Sequence, residues 1–387
     1  MFCPKFEKMN HPNTLSYWER ESFFSNIDVA IIGSGIVGLS AALALLDREP
    51  RLSVAVIERG VLPEGASTRN AGFACFGSLT ELLDDLETMP ESDVFALVER
   101  RFKGLQRLRK RVGDDNLRYE GLGGYEIFKN TEGPVFQHCA DRMTYFNQQL
   151  ATIIGQKETY NISKTDFGFQ SVLPKLIHNT AEGQIDTGKM MTTLLALARE
   201  RGVRFFNGLT INELQDSNAH VELTTSEGWT FAARKVVVAT NGFARRLLPN
   251  LEVEAARNQV LVTKPLPNLK IKGCFHYDKG YFYFRNIGNR LLLGGGRNLD
   301  YQNEMTDGFG ATDLIQNALN QLLTHTILPK EKIDIDATWS GILGIGKIKK
   351  PIIERLSPNV VVAVRMGGMG VAIGSLVGDD AAALVDL

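Results

Sequence analysis

Three glycines and an acid carry the clearest chemistry in the chain: Gly33-Ser34-Gly35-Ile36-Val37-Gly38, with Glu58 twenty residues further on. At this spacing Gly33 allows a tight turn, Gly35 lets the backbone approach a diphosphate, and Gly38 lets a helix pack closely on a strand. A helix opening at Ile36 and Val37 presents unpaired N–H groups and its positive dipole end to the phosphates. Glu58 stands where a carboxylate accepts both hydroxyls of an adenosine ribose. The combination predicts an adenine dinucleotide site.

These residues meet only if particular elements deliver them. Ile27 to Ile32 is a short β-branched run, suited to a strand buried on both faces of a parallel sheet. Leu39, Ala42, Leu43 and Leu46 then recur at helical spacing, and Leu52 to Ile57 reads as a second strand ending at Glu58. The competing reading is a membrane helix, since Asp28 is the only charge between Ile27 and Leu46. The glycine turn inside that stretch and the strand behind it favour strand, turn, helix, strand.

Directly after Glu58-Arg59 comes "GVLPEGASTRNAGF", a Gly/Ser/Thr/Asn-rich loop that reads as a second helix start, with Ser67 or Thr68 as N-cap and the small Ala71 and Gly72 behind. Together "GSGIVGLSAA", "ERG" and "GASTRNAG" resemble the D-amino-acid-oxidase-like superfamily of FAD enzymes, which includes glycine, sarcosine and γ-glutamylputrescine oxidases. "EGQIDTGKMMTTLLALARERGVRFFNG" (182–208), "KVVVATNGFARRLLP" (235–249) and "NVVVAVRMGGMGVAIGSLVGDDAAALV" (359–385) extend the resemblance in order over nearly the whole chain. "LSYWERESFF" (15–24) is similar to the γ-glutamylputrescine oxidase branch.

The resemblance implies an α/β fold: a Rossmann-like FAD-binding domain interleaved with an α+β substrate domain built on a largely antiparallel sheet. It places an N-terminal extension at 1–26, the FAD domain at 27–90, 170–250 and 345–387, and the substrate domain at 91–169 and 251–344. Implied FAD contacts are Gly33, Gly35, Ile36, Val37, Gly38, Glu58, Arg59, Ser67, Thr68, Arg69, Asn70, Ala71, Gly72, Ile211, Ala239, Thr240, Gly242 and Gly341. The C-terminal turn adds Arg365, Met366, Gly367, Gly368, Met369, Gly370 and Val371, ahead of a helix whose dipole would steady negative charge on the reduced flavin ring. The family's tethering cysteine would fall near Gly344 and its tethering histidine near Ser67–Arg69. Neither residue type is there, so non-covalent FAD is expected. Cys75 follows the second FAD loop and reads as a small buried hydrophobe.

The implied reaction oxidises a C–N bond of an amine or amino acid, with hydride passing to flavin N5 and the imine then hydrolysed. Members that bind α-amino acids often read Trp-x-Gly-x-Arg-Pro, the arginine holding a carboxylate. Here the text is Trp339-Ser340-Gly341-Ile342-Leu343, so Leu343 stands where that arginine would be. Candidate replacements are Arg285, Arg297 and Arg365; Tyr281, Tyr283 and Phe284 are candidate pocket walls, and His276 is the histidine to watch among six scattered ones. Two other substrates fit the same cofactor: a hydroxy acid or polyol phosphate feeding electrons to a quinone, or a modified RNA.

The rest of the chain sets bounds. With 387 residues, 44% apolar and a formal net charge of −1, it has an ordinary soluble profile, and the balance argues against a mainly nucleic-acid-binding protein. Cys3, Cys75, Cys139 and Cys274 are scattered and suggest neither a disulfide framework nor a metal site. No secretory leader or transmembrane segment is expected, and a cytoplasmic location is. Residues 91–113 read as an amphipathic helix with a solvated basic face, or as a dock for RNA or an acidic partner. Alternating runs between 254 and 296, with 121–128, read as antiparallel strands, and 311–326 as a helix. The substrate's identity leaves no signature, and oxygen, a quinone or an electron-transfer protein remain equal as electron acceptors.

Overall fold

The computed structural model describes residues 15–164, 167–217 and 219–387. The apolar runs pair into two eight-stranded sheets and one two-stranded ribbon. Ile27–Ile32 lies at the centre of the first sheet, parallel to Val54–Glu58 on one side and Thr230–Val238 on the other. Arg204–Asn207 and Val360–Val364 extend it, also in parallel. Parallel neighbours need a crossover, and the Ile36–Arg48 helix supplies the first one. Both faces of this sheet are covered, which is why its strands are continuous apolar runs. Val29 and Ile31 pack into one core, Ala30 and Ile32 into another. The stretch that could have been a membrane span is therefore a strand, a turn and a helix. Among the described residues no helix is long and apolar enough to cross a membrane.

The second sheet runs Ile335–Ile345, Glu254–Thr263, Arg290–Gly295, Phe282–Ile287, Cys274–Tyr277, Gly124–Ile127, Leu176–Asn179, Tyr160–Ser163. Only the Cys274–Tyr277 and Gly124–Ile127 pair is parallel. An α/β Rossmann-like part interleaved with a largely antiparallel sheet is thus the architecture. Details differ from the sequence reading. The second strand starts at Val54 rather than Leu52. The helix placed at 311–326 is Asp313–Leu322, closed by a single π turn over Leu323–Ile327. Of the N-terminal extension, residues 1–14 lie outside the described part, and Cys3 with them. Ser16 caps the short Tyr17–Ser22 helix, and Phe24 stacks on Phe206 at 4.8 Å.

Two assignments to parts of the molecule need correction. Leu176–Asn179 is a strand of the antiparallel sheet, so the return to the Rossmann-like part begins after it rather than at 170. The Glu91–Val112 helix bridges the two parts: Leu97, Leu105, Leu108 and Val112 join the Rossmann-like core, while Val94 and Val98 pack with Phe128 and Ile177. Nor is its basic face simply solvated. Arg107 and Arg111 share Asp379 at 2.6 and 2.7 Å, Arg100 meets Asp380 at 2.5 Å, and Arg109 chelates Asp114. Charges that look like a docking stripe in sequence are held against acids of the Gly370–Ala383 helix and the adjoining turn.

That C-terminal helix lies between Ile36–Arg48 and Glu91–Val112, and small residues set both approaches. A Cβ on Gly378 would sit 2.6 Å from the Val37 carbonyl oxygen, and one on Gly104 would overlap the Ala372 carbonyl oxygen. We expect Gly104→Val to cost about 1–3 kcal/mol through overpacking, read as a lower denaturation midpoint at an unchanged slope. An unchanged midpoint would mean that the two helices do not depend on that close approach.

Candidate active site

A cavity of about 600 Å³ opens between the two sheets. Its inner wall is the glycine turn. Gly33 has φ +107°, and a Cβ there would lie 2.8 Å from the Ala239 carbonyl oxygen. A Cβ on Gly38 would overlap the Gly33 carbonyl, which fixes the close contact of helix and strand. Gly38 therefore shapes the turn without lining the cavity. The helix begins at Ile36 behind an N-cap, Gly35, that has no side chain to satisfy its amides. Ser67 approaches instead: its Oγ accepts the Ile36 N–H at 3.0 Å and lies 2.8 Å from where a Gly35 Cβ would be.

Glu58 ends the second strand and is buried at the cavity wall. Its Oε2 accepts Ser34 Oγ–H at 2.7 Å and the Ser34 N–H at 3.2 Å, and its Oε1 accepts the Gly60 N–H at 3.1 Å. The carboxylate is thus held at the mouth of the glycine turn. Arg59 stacks on Phe243 at 3.8 Å and pairs with Glu64. Thr240 presents a buried Oγ1 without a hydrogen-bond partner at the same wall, and Ile211 and Ala239 complete it.

The second loop is braced from behind. Asn70 Oδ1 accepts the Gly72 N–H at 2.8 Å and the Thr187 hydroxyl at 2.9 Å, while its Nδ2 donates to the Ser67 carbonyl. Ser67, Arg69, Asn70 and Ala71 line the cavity. Thr68 and Gly72 do not: the Thr68 hydroxyl turns to the Pro63 and Gly65 carbonyls, and Gly72, at φ +75°, is pressed against Ile185 and Arg285. Arg69 lies over Phe309 and donates to the Ser340 carbonyl, beside Gly341.

At the other end Val360–Val364 gives way to a turn in which Gly367 and Gly368 take φ +58° and +86°. Met366 to Val371 line the cavity there, and the Gly370–Ala383 helix starts from it. Asn241, at φ +44°, braces this turn, its Oδ1 accepting the Arg365 and Met366 N–H groups. Its neighbour Gly242 is a spacer against the Leu343 carbonyl rather than a wall residue.

Two of the arginines proposed as clamps point elsewhere. Arg285 is buried and donates to the Ala71 carbonyl, to Ile185 at 3.0 Å and to Asn286 at 3.1 Å, so it is a strut beneath the second loop. Arg365 donates to the Lys350 carbonyl at 2.8 Å and the Glu252 carbonyl at 2.9 Å, away from the cavity. Arg297, Tyr283 and His276 do line it, with Tyr281. Phe284 does not: it stacks on Phe275 in the sheet core. Tyr283 accepts Asn258 Nδ2–H at 3.0 Å, and burial drives its phenol well above the ordinary value. Sequence reasoning missed Asn258, Glu81, Asp84, Lys279 and Lys349, all on the wall. Four of these are in ion pairs: Lys279 with Asp84 at 3.0 Å, Lys349 with Asp85, and Glu81 with Arg101 at 3.4 Å.

The residues fit an extended dinucleotide carrying a ring system. A carboxylate and the Gly35 and Val37 amides stand at one end, an unpartnered hydroxyl along the way, and a side-chain-free turn ahead of a helix at the other. The comparisons agree with this. The family model described as FAD dependent oxidoreductase matches residues 28–384. The chain belongs to that family. A glycine oxidase of Geobacillus kaustophilus is 26% identical over 329 residues, which is 81% of this chain and 80% of that one. The crystal structure of glycine oxidase from Bacillus cereus superposes with a TM-score of 0.73 at 18% identity, covering 93% of this chain and 94% of the other. L-proline dehydrogenase from P. horikoshii gives 0.70 at 18% identity, covering 93% of each. This oxidoreductase therefore takes FAD.

Two outcomes follow for the cofactor. Glu58→Ala should weaken FAD binding about 10- to 100-fold, the loss expected for hydrogen bonds to a charged group, read by quenching of flavin fluorescence on titrating the apoprotein. Acid precipitation should leave all the yellow colour in the supernatant, because no cysteine or histidine stands at Ser67–Arg69 or Gly344. Colour in the pellet would reveal a covalent bond.

Proposed function

We propose that this FAD-dependent oxidoreductase oxidises the C–N bond of a small amino acid, with Arg297 holding the carboxylate. One observation carries the reading. Among the described residues, Arg297 is the cavity cation whose guanidinium takes neither a carboxylate nor a carbonyl partner. Arg59 has Glu64, Arg246 has Asp307, Lys279 has Asp84, Lys349 has Asp85, and Arg69 has the Ser340 carbonyl. Arg297 instead lies over the Tyr301 ring at 4.8 Å, and the Tyr301 hydroxyl donates to the Tyr281 hydroxyl at 3.0 Å. A guanidinium beside two phenols is a planar, charged donor set suited to a carboxylate. It takes over the task for which Leu343 has no charge.

FAD, when bound, supplies the electron sink that accepts hydride from the carbon next to nitrogen. The chain's own residues bind, orient and keep out water. Phe73, Tyr283 and Leu343 give the cavity apolar walls, with Phe73 edge-on to Tyr283 at 5.4 Å. The glycine oxidase and proline dehydrogenase relatives support an amino-acid substrate. A hydroxy acid would present the same carboxylate to Arg297, so the two readings part only at the atom that replaces nitrogen.

An anaerobic screen of amino acids, N-methyl amino acids, simple amines and hydroxy acids for bleaching of the bound flavin tests the proposal. Bleaching by amino acids and not by hydroxy acids is the expected result; the reverse would overturn it. Arg297→Met should raise KM about 10- to 100-fold while changing kcat much less, since it removes binding shared by ground and transition states. An unchanged KM would place the carboxylate elsewhere.

A further inference from the structure

His276 sits on the Cys274–Tyr277 strand, where its ring lines the cavity and meets Phe73 edge-on at 5.4 Å. Its Nε2 is buried without a hydrogen-bond partner and lies 3.9 Å from Glu182 Oε2. Glu182 is 1% exposed, and its Oε1 accepts the Phe76 N–H at 2.8 Å and the Gly77 N–H at 3.1 Å. That leaves Oε2 turned to the imidazole. The arrangement is a buried carboxyl group 3.9 Å behind a histidine whose ring also borders the substrate space, beyond hydrogen-bond length but near enough to bias the ring toward a proton on Nε2.

We infer that His276 accepts the proton that the substrate's ammonium must lose before oxidation, and that Glu182 is the positioning residue holding the ring for it. The inference rests on the amine reading above. One N–H bond of the ammonium breaks and its electron pair stays on nitrogen. The proton forms a new N–H bond on the imidazole, and no electrons leave either partner. The neutral amine so produced is the form whose lone pair can push hydride from the neighbouring carbon. On product release the imidazolium returns its proton to solvent through the cavity.

The surroundings suit a neutral acceptor. Burial pushes His276 below the ordinary histidine range, with Glu81 opposing, which favours the uncharged ring. Burial raises the Glu182 carboxyl to about 7 against the pull of the Gly77 and Phe76 amides and Cys75. The other titratable groups around the ring come from every neighbouring element. Cys75 shares the Glu182 cluster, and Tyr283 and Glu126 are the cross-strand partners of His276. Asp84 and Lys279 pair across the cavity wall. Glu126 is bonded to Thr80, and Glu81, the carboxylate that opposes burial at the ring, is paired with Arg101.

The test uses the FAD-loaded enzyme with ¹⁵N-labelled histidine and the amino acid that bleaches it fastest. The His276 resonances, assigned by their loss in His276→Gln, should report mainly one ring tautomer at about pH 8 to 9, and Glu182→Gln should shift the two ring-nitrogen signals toward a mixture. The same tautomer signature in both proteins would overturn the Glu182 role. Anaerobic flavin reduction by His276→Gln should be about 10²–10⁴-fold slower than wild type at pH 7. At pH 10, near the pKa of an ammonium, the deficit should shrink to about tenfold or less. Glu182→Gln should show the same pattern with smaller size, which serves if His276→Gln folds poorly. A deficit of equal size at both pH values would overturn the proton role, leaving the ring a wall. Failure of every amine to bleach the wild type at either pH would overturn the amine reading and this role with it.

Discussion

Two helices, Ile36–Arg48 and Gly370–Ala383, begin at the wall of one cavity, and the amides of their first turns have no carbonyl of their own helix to bond. Such ends need an acceptor or an anion, and neither N-cap, Gly35 or Met369, provides a side-chain bond. Ser67 Oγ takes the Ile36 N–H at the first end, and much of the surrounding structure keeps the two ends close together. Gly374 and Gly378 let the two helices touch each other. Gly104 lets the Glu91–Val112 helix press on the second from outside, and Asp379 and Asp380 take its arginines. Asn241 ties the turn at Arg365–Met366 to the loop after Thr230–Val238, and Arg285 and Asn70 brace the second loop. Most of these residues touch no ligand, yet they decide where the amides point.

The two ends of the cavity obey different constraints. The nucleotide end is built from backbone, one carboxylate and close glycine contacts, so its chemistry leaves little freedom in residue type. The substrate end is built from side chains on antiparallel strands, which can change without disturbing the sheet. Leu343, Arg297 and the Tyr281–Tyr301 pair lie there, and so do the Lys279–Asp84 and Lys349–Asp85 pairs. A fold shared with glycine oxidase and proline dehydrogenase is compatible with a different way of holding the substrate.

Sequence patterns read the first end well, because strand, glycine turn, helix and acid are local and each has one physical job. The strand run at Ile27–Ile32, the turn at 33–38 and the strand at Val360–Val364 stand where the pattern puts them. Long-range choices were not legible. Arg285 and Arg365 sit at strand ends, as a clamp would, but the carbonyls that capture them come from residues such as Ile185 and Glu252, far along the chain. The basic run after Arg100 looks unpaired in sequence because Asp379 and Asp380 lie some 270 residues later. Asn241 left a signal, an Asn-Gly after a buried strand, in a place where left-handed backbone is common. Glu182 left none, since only the fold brings it behind His276.

The most direct measurement is a crystal structure of the FAD-loaded enzyme with a carboxylate that it cannot oxidise, such as benzoate, in the cavity. The diphosphate should lie on the Gly35 and Val37 amides, the ribose on Glu58, the flavin ring against Gly367 and Gly368, and the carboxylate on Arg297. A flavin lying outside the space between the two helix ends, or a carboxylate held away from Arg297, would contradict that placement.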